Sequence, residues 1–315
     1  MSAAGRRPKV SIIIPTLNEA RNLPHVFKIL PADAEVILVD GLSTDGTEDV
    51  ARTIRPDCVI VHQTRKGKGN ALASGFEAAS GDIIVMLDAD GSADPAEIED
   101  FVAALLDGAD FAKGSRFIGN GGSADITRLR SRGNLGLSAL VNILLRHRFT
   151  DLCYGYNAFW SYCRPVLGLH PGERGGEPQW GDGFEVETLI NIRAARGGLN
   201  VVEVPSFEHP RLMGVTNLNA FSDGLRVLRT IFAEAFRPMP RRLRRQIALD
   251  RQATRRRFGP PSEPAVPATR LDAVATTRLD AVAADHVPAA GSEQATSRQL
   301  PSAAAHSGAA GPEQA

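Results

Sequence analysis

The chain has 315 residues, 43% of them hydrophobic, and its 36 basic and 36 acidic side chains give a formal net charge of zero at pH 7. That is apolar material for one substantial core or two small ones, and the balanced charge argues against a nucleic-acid partner, whose phosphates call for a basic excess. Three cysteines at irregular spacing, Cys58, Cys153 and Cys163, make neither a disulfide framework nor a zinc motif and fit buried thiols in a reducing, cytoplasmic setting.

The opening stretch MSAAGRRPKV carries no apolar core of a secretion signal. From residue 9 to 110, apolar β-branched runs at 10–14, 35–39, 58–61, 82–87 and 109–112 alternate with helix-like stretches. Continuous apolar runs mark strands buried on both faces. The predicted fold class is therefore α/β, a mostly parallel sheet flanked by helices. Ser43 or Thr44 precedes DGTEDVARTI, and Asp94-Pro95 precedes AEIEDFVAALL; proline in the first turn and acids near the positive dipole end are helix-start signals.

A Gly-, Ser- and Arg-rich stretch at 119–133 leads into an amphipathic helix ending near His147. Long irregular segments of this kind are commonly functional. A second Gly-rich stretch, 171–183, precedes a helix at 184–196 and a strand at 200–204. A last helix at 219–236 sets Phe221, Leu225, Leu228, Ile231, Phe232 and Phe236 at helical spacing on one predicted apolar face. The most apolar run, 135–145, contains Asn142 and falls short of the roughly 20 residues a membrane span needs. Residues 1–236 thus read as a single catalytic domain. Residues 237–257 carry nine arginines against the single acid Asp250 and are predicted to hold the protein peripherally on an anionic membrane surface, the plain alternative being a solvated basic linker. Residues 258–315 read as a disordered Ala-, Pro- and Ser-rich tail.

The chemistry concentrates in IIVMLDADGSADP. A buried strand there delivers Asp88 and Asp90 to its carboxyl end, the edge where open α/β sheets bind ligands. Alternate residues of an extended segment point the same way, so the two carboxylates can share Mg²⁺ or Mn²⁺, whose shell substrate phosphates complete. A pair of solvated acids before a helix is the bland alternative. VSIIIPTLNEA sets Pro15, Asn18 and Glu19 at the same edge, and ILVDGLSTDGT adds Asp40.

With SIIIPTLNEA, VDGLSTDGT, GKGNAL, DADGSADP, GSRF, RLRSRGN, DLCYGYNAF, GFEVETL and VEVPSFEHPRLMGVTN in that order over residues 9–219, the chain resembles family 2 glycosyltransferases of the GT-A fold, in particular their dolichol-phosphate mannosyltransferase-like branch. The resemblance implies that Pro15, Asn18, Glu19, Asp40 and Lys68 bind the nucleotide sugar. It implies that Asp88 and Asp90 bind metal and diphosphate, that Arg116 and Arg211 meet phosphate, and that Arg130, Arg132, Asn134 and Asp151 lie on the acceptor side. Gly41 stands where the family commonly has a second acid, Ser92 where the branch often has glutamine, and Thr216-Asn217 where it often has Ser-Lys.

The expected reaction is inverting transfer of a sugar from a nucleoside diphosphate to an acceptor. Arg116, Arg130, Arg132 and Arg211 exceed what one diphosphate needs, so a second anion, a polyprenyl phosphate, is the expected acceptor. A soluble hydroxyl acceptor would instead require a base, for which Asp182 or Glu185 is the candidate. A nucleotidyltransferase is disfavoured because PTLNEA replaces its glycine-rich, arginine-containing loop, and a non-catalytic membrane-recruitment module because both metal acids are present.

Overall fold

The computed structural model describes residues 7–213 and 220–258; Thr216-Asn217 and the tail from 259 lie outside the described residues. In chain order the elements are β1 (Val10–Thr16), α1 (Leu23–Ile29), β2 (Glu35–Asp40), α2 (Thr47–Ile54), β3 (Val59–His62), α3 (Lys68–Ala78) and β4 (Ile83–Met86). They continue through α4 (Ile98–Leu106), β5 (Phe111–Ser115), β6 (Gly122–Ser123), α5 (Arg128–Leu145), β7 (Asn157–Trp160) and α6 (Arg164–Leu167). The last are α7 (Val186–Gly197), β8 (Val201–Pro205), β9 (Phe207–Glu208), α8 (Ala220–Ala235) and α9 (Arg241–Phe258).

Seven strands form one sheet in the order β3-β2-β1-β4-β7-β5-β8, and β6 pairs with β9 apart from it. The seven-stranded sheet is parallel except for β7, which runs antiparallel between β4 and β5, with Ile83 opposite Trp160 and Phe111 opposite Phe159. This is the predicted mostly parallel sheet with one strand added. Ile12, Ile13, Ile14, Ile37, Leu38, Ile83, Ile84 and Val85 are wholly buried because helices cover both faces, each contributing on the order of 1.5–3 kcal/mol of transfer free energy. Phe159 of β7 stacks on Phe111 at 5.6 Å and meets Phe76 of α3 edge-on at 5.2 Å.

Parallel register aligns the carboxyl ends: Thr16 lies opposite Asp40, and Asp40 opposite His62. The loops after β1, β2, β3 and β4 therefore open at one edge, which places the site. α5 and α8 pack beside that edge around a second apolar cluster of Val141, Phe149, Leu152, Ile192 and Ile231.

Two expectations are corrected here. α8 does not bury the face read from its sequence: Leu225 is 65%, Phe232 47% and Phe236 72% exposed, while Ile231 is buried. The cause is Glu234, which α8 turns inward to accept from Arg193 Nε and Nη2, both at 2.9 Å, and from Trp180 Nε1 at 2.9 Å. The second is the end of the packed body at 236: residues 237–257, for which a solvated linker was the alternative to a membrane-surface segment, pack against it. Most of them form α9, which buries Ile247, stacks Phe258 on Trp160 at 5.2 Å and pairs Arg257 with Asp82 at 3.1 Å. Arg251 joins them by donating from Nε to Asp110 at 2.8 Å. The packed body runs past the predicted boundary at 236. Asp82 and Asp110 precede β4 and β5, so α9 covers the amino-terminal edge of the sheet, opposite the site.

Candidate active site

A cleft of about 1390 Å³ opens at the carboxyl edge. Beyond β4 the chain stays tied to β1, Leu87 N–H donating to Ile13 at 3.0 Å, and then turns so that Asp88 and Asp90 both line the cleft. Residues 209–212 run alongside this turn. His209 N–H donates to Ser92 O at 2.8 Å and Leu212 N–H to Asp90 O at 3.0 Å, which sets Arg211 Nη2 at 2.9 Å from Asp90 Oδ2. Glu19, from the loop after β1, lies 3.9 Å from the same guanidinium. Burial pushes the Glu19 carboxyl above its ordinary value, against the hydrogen bond from Asn22, and the Asp90 charge adds to the rise.

Lys68 is the first residue of α3, where the helix dipole disfavours a cation. It is held by carboxylates instead, 2.7 Å from Asp88 and 2.6 Å from Glu187. Burial alone would lower the Lys68 ammonium, but those two charges outweigh it and keep the group protonated. Burial pushes the Glu187 carboxyl up despite Lys68. The flanking glycines explain the GKG sequence: a Cβ on Gly67 would collide with Asp182 O, and one on Gly69 with Gly181 O. Only glycine lets the two loops close, with Gly69 N–H donating to Asp182 O at 2.7 Å.

The wall behind this pair is built from buried ion pairs. Arg65 donates from Nε and Nη2 to Asp182 at 2.7 and 2.8 Å. Asn70 Oδ1 accepts from Thr64 and Arg65 N–H at 2.9 and 2.8 Å, while its Nδ2 donates to Pro171 at 2.9 Å. Arg116 forks onto Asp151 at 2.7 and 3.0 Å and donates to Glu208 at 2.9 Å. Its guanidinium also lies 4.8 Å from the centre of the Tyr154 ring. Burial would raise Asp151, and the Arg116 bonds hold it below the usual carboxylate range.

Of the sequence-predicted residues, the structure brings Pro15, Glu19, Lys68, Asp88, Asp90, Arg116, Arg130, Asn134 and Arg211 to the cleft. Asn18, Asp40, Arg132 and Asp151 are not among its lining residues. Asn18, with φ of 60°, receives Thr44 N–H at 2.8 Å and holds two loops together. Asp40 is 1% exposed and accepts from Ser43 N–H at 2.8 Å, Gly41 and Leu42 lining the cleft in its place. Asp151 is wholly buried, and Arg132 lies on the exposed face of α5. Arg116 reaches the cleft with three of its five N–H donors already given to carboxylates. Asn134 accepts from Cys153 N–H at 3.1 Å and leaves Nδ2 buried without a partner. Of the two candidate bases Glu185 lines the cleft and Asp182 does not. Sequence reasoning missed Arg65 and Glu208 altogether; like Glu187, each acts through a partner more than 50 positions away, so no local pattern marks it.

Comparison with known proteins agrees with this architecture. The profile described as Glycosyl transferase family 2 matches residues 11–166. Glycosyltransferase AglJ of Haloferax volcanii is 30% identical over 232 residues, 72% of this chain and 71% of its own. An uncharacterized glycosyltransferase of Mycobacterium tuberculosis is 30% identical over 220 residues, 67% of this chain and 89% of its own. Among solved structures, glucosyl-3-phosphoglycerate synthase from Mycobacterium tuberculosis, in complex with Mn²⁺, UDP and phosphoglyceric acid, superposes with a TM-score of 0.55 at 21% identity, covering 74% of this chain and 80% of that one. The sheet order, the cleft at its carboxyl edge and these relatives together identify the chain as a GT-A-fold member of glycosyl transferase family 2.

Proposed function

We propose that the protein transfers a sugar, with inversion, from a nucleoside diphosphate sugar to an anionic acceptor, a polyprenyl phosphate in the first instance, using a divalent cation. The observation that carries this reading is the paired placement of Asp88 and Asp90 in the cleft, each already faced by a cation, Lys68 and Arg211. The donor set suits Mg²⁺ or Mn²⁺: two hard carboxylates at alternate positions, with no third acidic or imidazole group clustered on them among the described residues, leave a shell for diphosphate oxygens and water. When bound, such an ion supplies Lewis-acid neutralisation of the leaving diphosphate. The solved neighbour's Mn²⁺ and UDP make a uridine donor the first to try.

The chain's own groups do the rest. Arg211 and Lys68 flank the two acids and are placed to receive diphosphate oxygens as the bond to the sugar breaks, without proton transfer. Pro15, Gly41, Leu42 and Gln63 wall the nucleoside side. On the far side Arg130 and Asn134 line the space for the acceptor, among the apolar Ile126, Leu129 and Leu137. A phosphate there is already ionised and attacks without a base. Arg116 and Asp151 hold the wall under this acceptor side. Attachment of α9 to an anionic leaflet is a separate proposal. Lying on the opposite edge, α9 would turn the cleft away from that leaflet, so the acceptor reading rests on the cleft alone.

One observation favours a second reading. Glu185 lines the cleft, accepting from Gly181 and Gly183 N–H at 3.1 and 3.3 Å, and could serve as base for a hydroxyl acceptor. Single-turnover transfer with polyprenyl phosphate and with small hydroxyl acceptors decides between them. With a phosphate acceptor, Glu185→Gln is nearly harmless while Arg130→Ala and Asn134→Ala weaken acceptor use. A loss of roughly 10²- to 10⁴-fold in Glu185→Gln alone would overturn the phosphate reading.

A further inference from the structure

We infer, on the reading of Asp88 and Asp90 as the cation's ligands, that Lys68 and Arg211 compete for those acids, so that divalent ion and nucleotide diphosphate bind strongly only together. All four oxygens of the two acids are engaged within the chain. Lys68 Nζ sits astride Asp88, 2.7 Å from Oδ1 and 2.8 Å from Oδ2. On Asp90, Oδ1 accepts from Ser92 N–H at 2.9 Å and Oδ2 lies 2.9 Å from Arg211 Nη2. An ion drawing on both acids must displace these two cations or crowd against them.

Each competitor also has a second acid that keeps it at the cleft floor when the first is taken. Lys68 donates to Glu187 at 2.6 Å, and Arg211 Nη1 lies 3.9 Å from Glu19 Oε1. The main chain around Arg211 is tied to the acid loop, His209 N–H donating to Ser92 O and Leu212 N–H to Asp90 O. Only the Arg211 side chain, 33% exposed, therefore has to move. A divalent ion alone sets like charge against Lys68 and Arg211, and a diphosphate alone sets like charge against Asp88 and Asp90. Together ion and nucleotide-sugar diphosphate add no net charge: the acids pass to the ion, and the displaced ammonium and guanidinium pass to diphosphate oxygens. Such coupling is reciprocal, so each raises the affinity of the other by the same factor.

The test is equilibrium binding of Mn²⁺ to the full chain, followed by the paramagnetic resonance signal of free Mn²⁺, alone and with saturating UDP or GDP, with circular dichroism to check folding. The wild type is expected to bind Mn²⁺ about tenfold or more tightly with one of the two nucleotides than without. Arg211→Met is expected to tighten Mn²⁺ alone by about tenfold and to shrink the effect of the nucleotide. Arg130→Met removes a cleft charge that pairs with Asp125 rather than with either acid, and is expected to leave Mn²⁺ alone unchanged. Mn²⁺ alone bound no better by folded Arg211→Met, an equal gain in Arg130→Met, or the same Mn²⁺ affinity with and without nucleotide would each overturn the competition, leaving the two acids as the cation's ligands. Wild-type Mn²⁺ affinity in Asp90→Asn with nucleotide present would overturn that ligand reading itself, and the competition with it.

Discussion

Lys68 Nζ lies 2.7 Å from Asp88 Oδ1, joining the first residue of α3 to the acid that follows β4 across the floor of the cleft. The same ammonium contacts Glu187 at 2.6 Å, so one cation neutralises two carboxylates drawn from opposite sides. Lys68→Met is expected to lower stability by about 2–3 kcal/mol, less than a fully buried pair costs because Asp88 is open to solvent, and to reduce transfer about 10²-fold. Lys68→Met/Glu187→Gln should recover most of the stability and none of the transfer. Urea unfolding beside donor turnover separates the two effects. Recovery of both would make Lys68 purely structural.

Arg116 and Asp151 form a pair with side chains 5% and 0% exposed. Asp151→Asn leaves the guanidinium buried with only Glu208 as a charged partner and is expected to cost about 3–5 kcal/mol in urea unfolding. If Arg116 instead served chiefly to hold diphosphate, Asp151→Asn would change donor affinity with little change in the unfolding midpoint.

Glu35 gives the clearest acid dependence. Burial would raise its carboxyl, but hydrogen bonds from Ser11, from Ser80 side chain and main chain, and from Lys9 outweigh that and hold it down at about 2. The unfolded chain titrates near 4.3. The folded state therefore gains from this group above about pH 4.3 and loses that gain as pH falls toward 2, about 1–2 kcal/mol after solvent screening. Glu35→Gln should be less stable than wild type at pH 7, and the gap should close between pH 4.3 and 2. A constant gap across that range would show that Glu35 does not titrate as described.

The parallel sheet was legible because strands buried on both faces read as unbroken apolar runs, and Asp88 and Asp90 because a strand end delivers alternate residues to the ligand edge. β7 was not, since NAFW is four residues of a fully buried strand with no turn signal to mark its reversal. α9 was hidden by composition: nine arginines in residues 237–257 read as solvated, whereas the packing depends on Ile247 and Phe258 and on Arg251 reaching Asp110. The apolar spacing of α8 pointed to the wrong face because nothing local reveals that Arg193 draws Glu234 inward. Arg116, read in the sequence as a phosphate fork, turns out to be committed to buried Asp151, as the unforeseen Arg65 is to Asp182.

A chain stopped after Phe236 tests the role of α9. Removal of Ile247 and of the Phe258 stack on Trp160 is expected to cost on the order of 3–5 kcal/mol, a fall of about 10 °C in the thermal midpoint. An unchanged midpoint would return residues 237–257 to the status of a linker.

The central claim is tested most directly by release of nucleoside diphosphate from UDP and GDP sugars with polyprenyl phosphate, in Mn²⁺ or Mg²⁺ and again in EDTA, for wild type, Asp88→Ala and Asp90→Ala. The expected result is acceptor-dependent turnover by the wild type that stops in EDTA, returns with the divalent ion, and is abolished in both variants while their circular dichroism is unchanged. Full turnover in EDTA, or in folded Asp90→Ala, would contradict a cation held by these two acids.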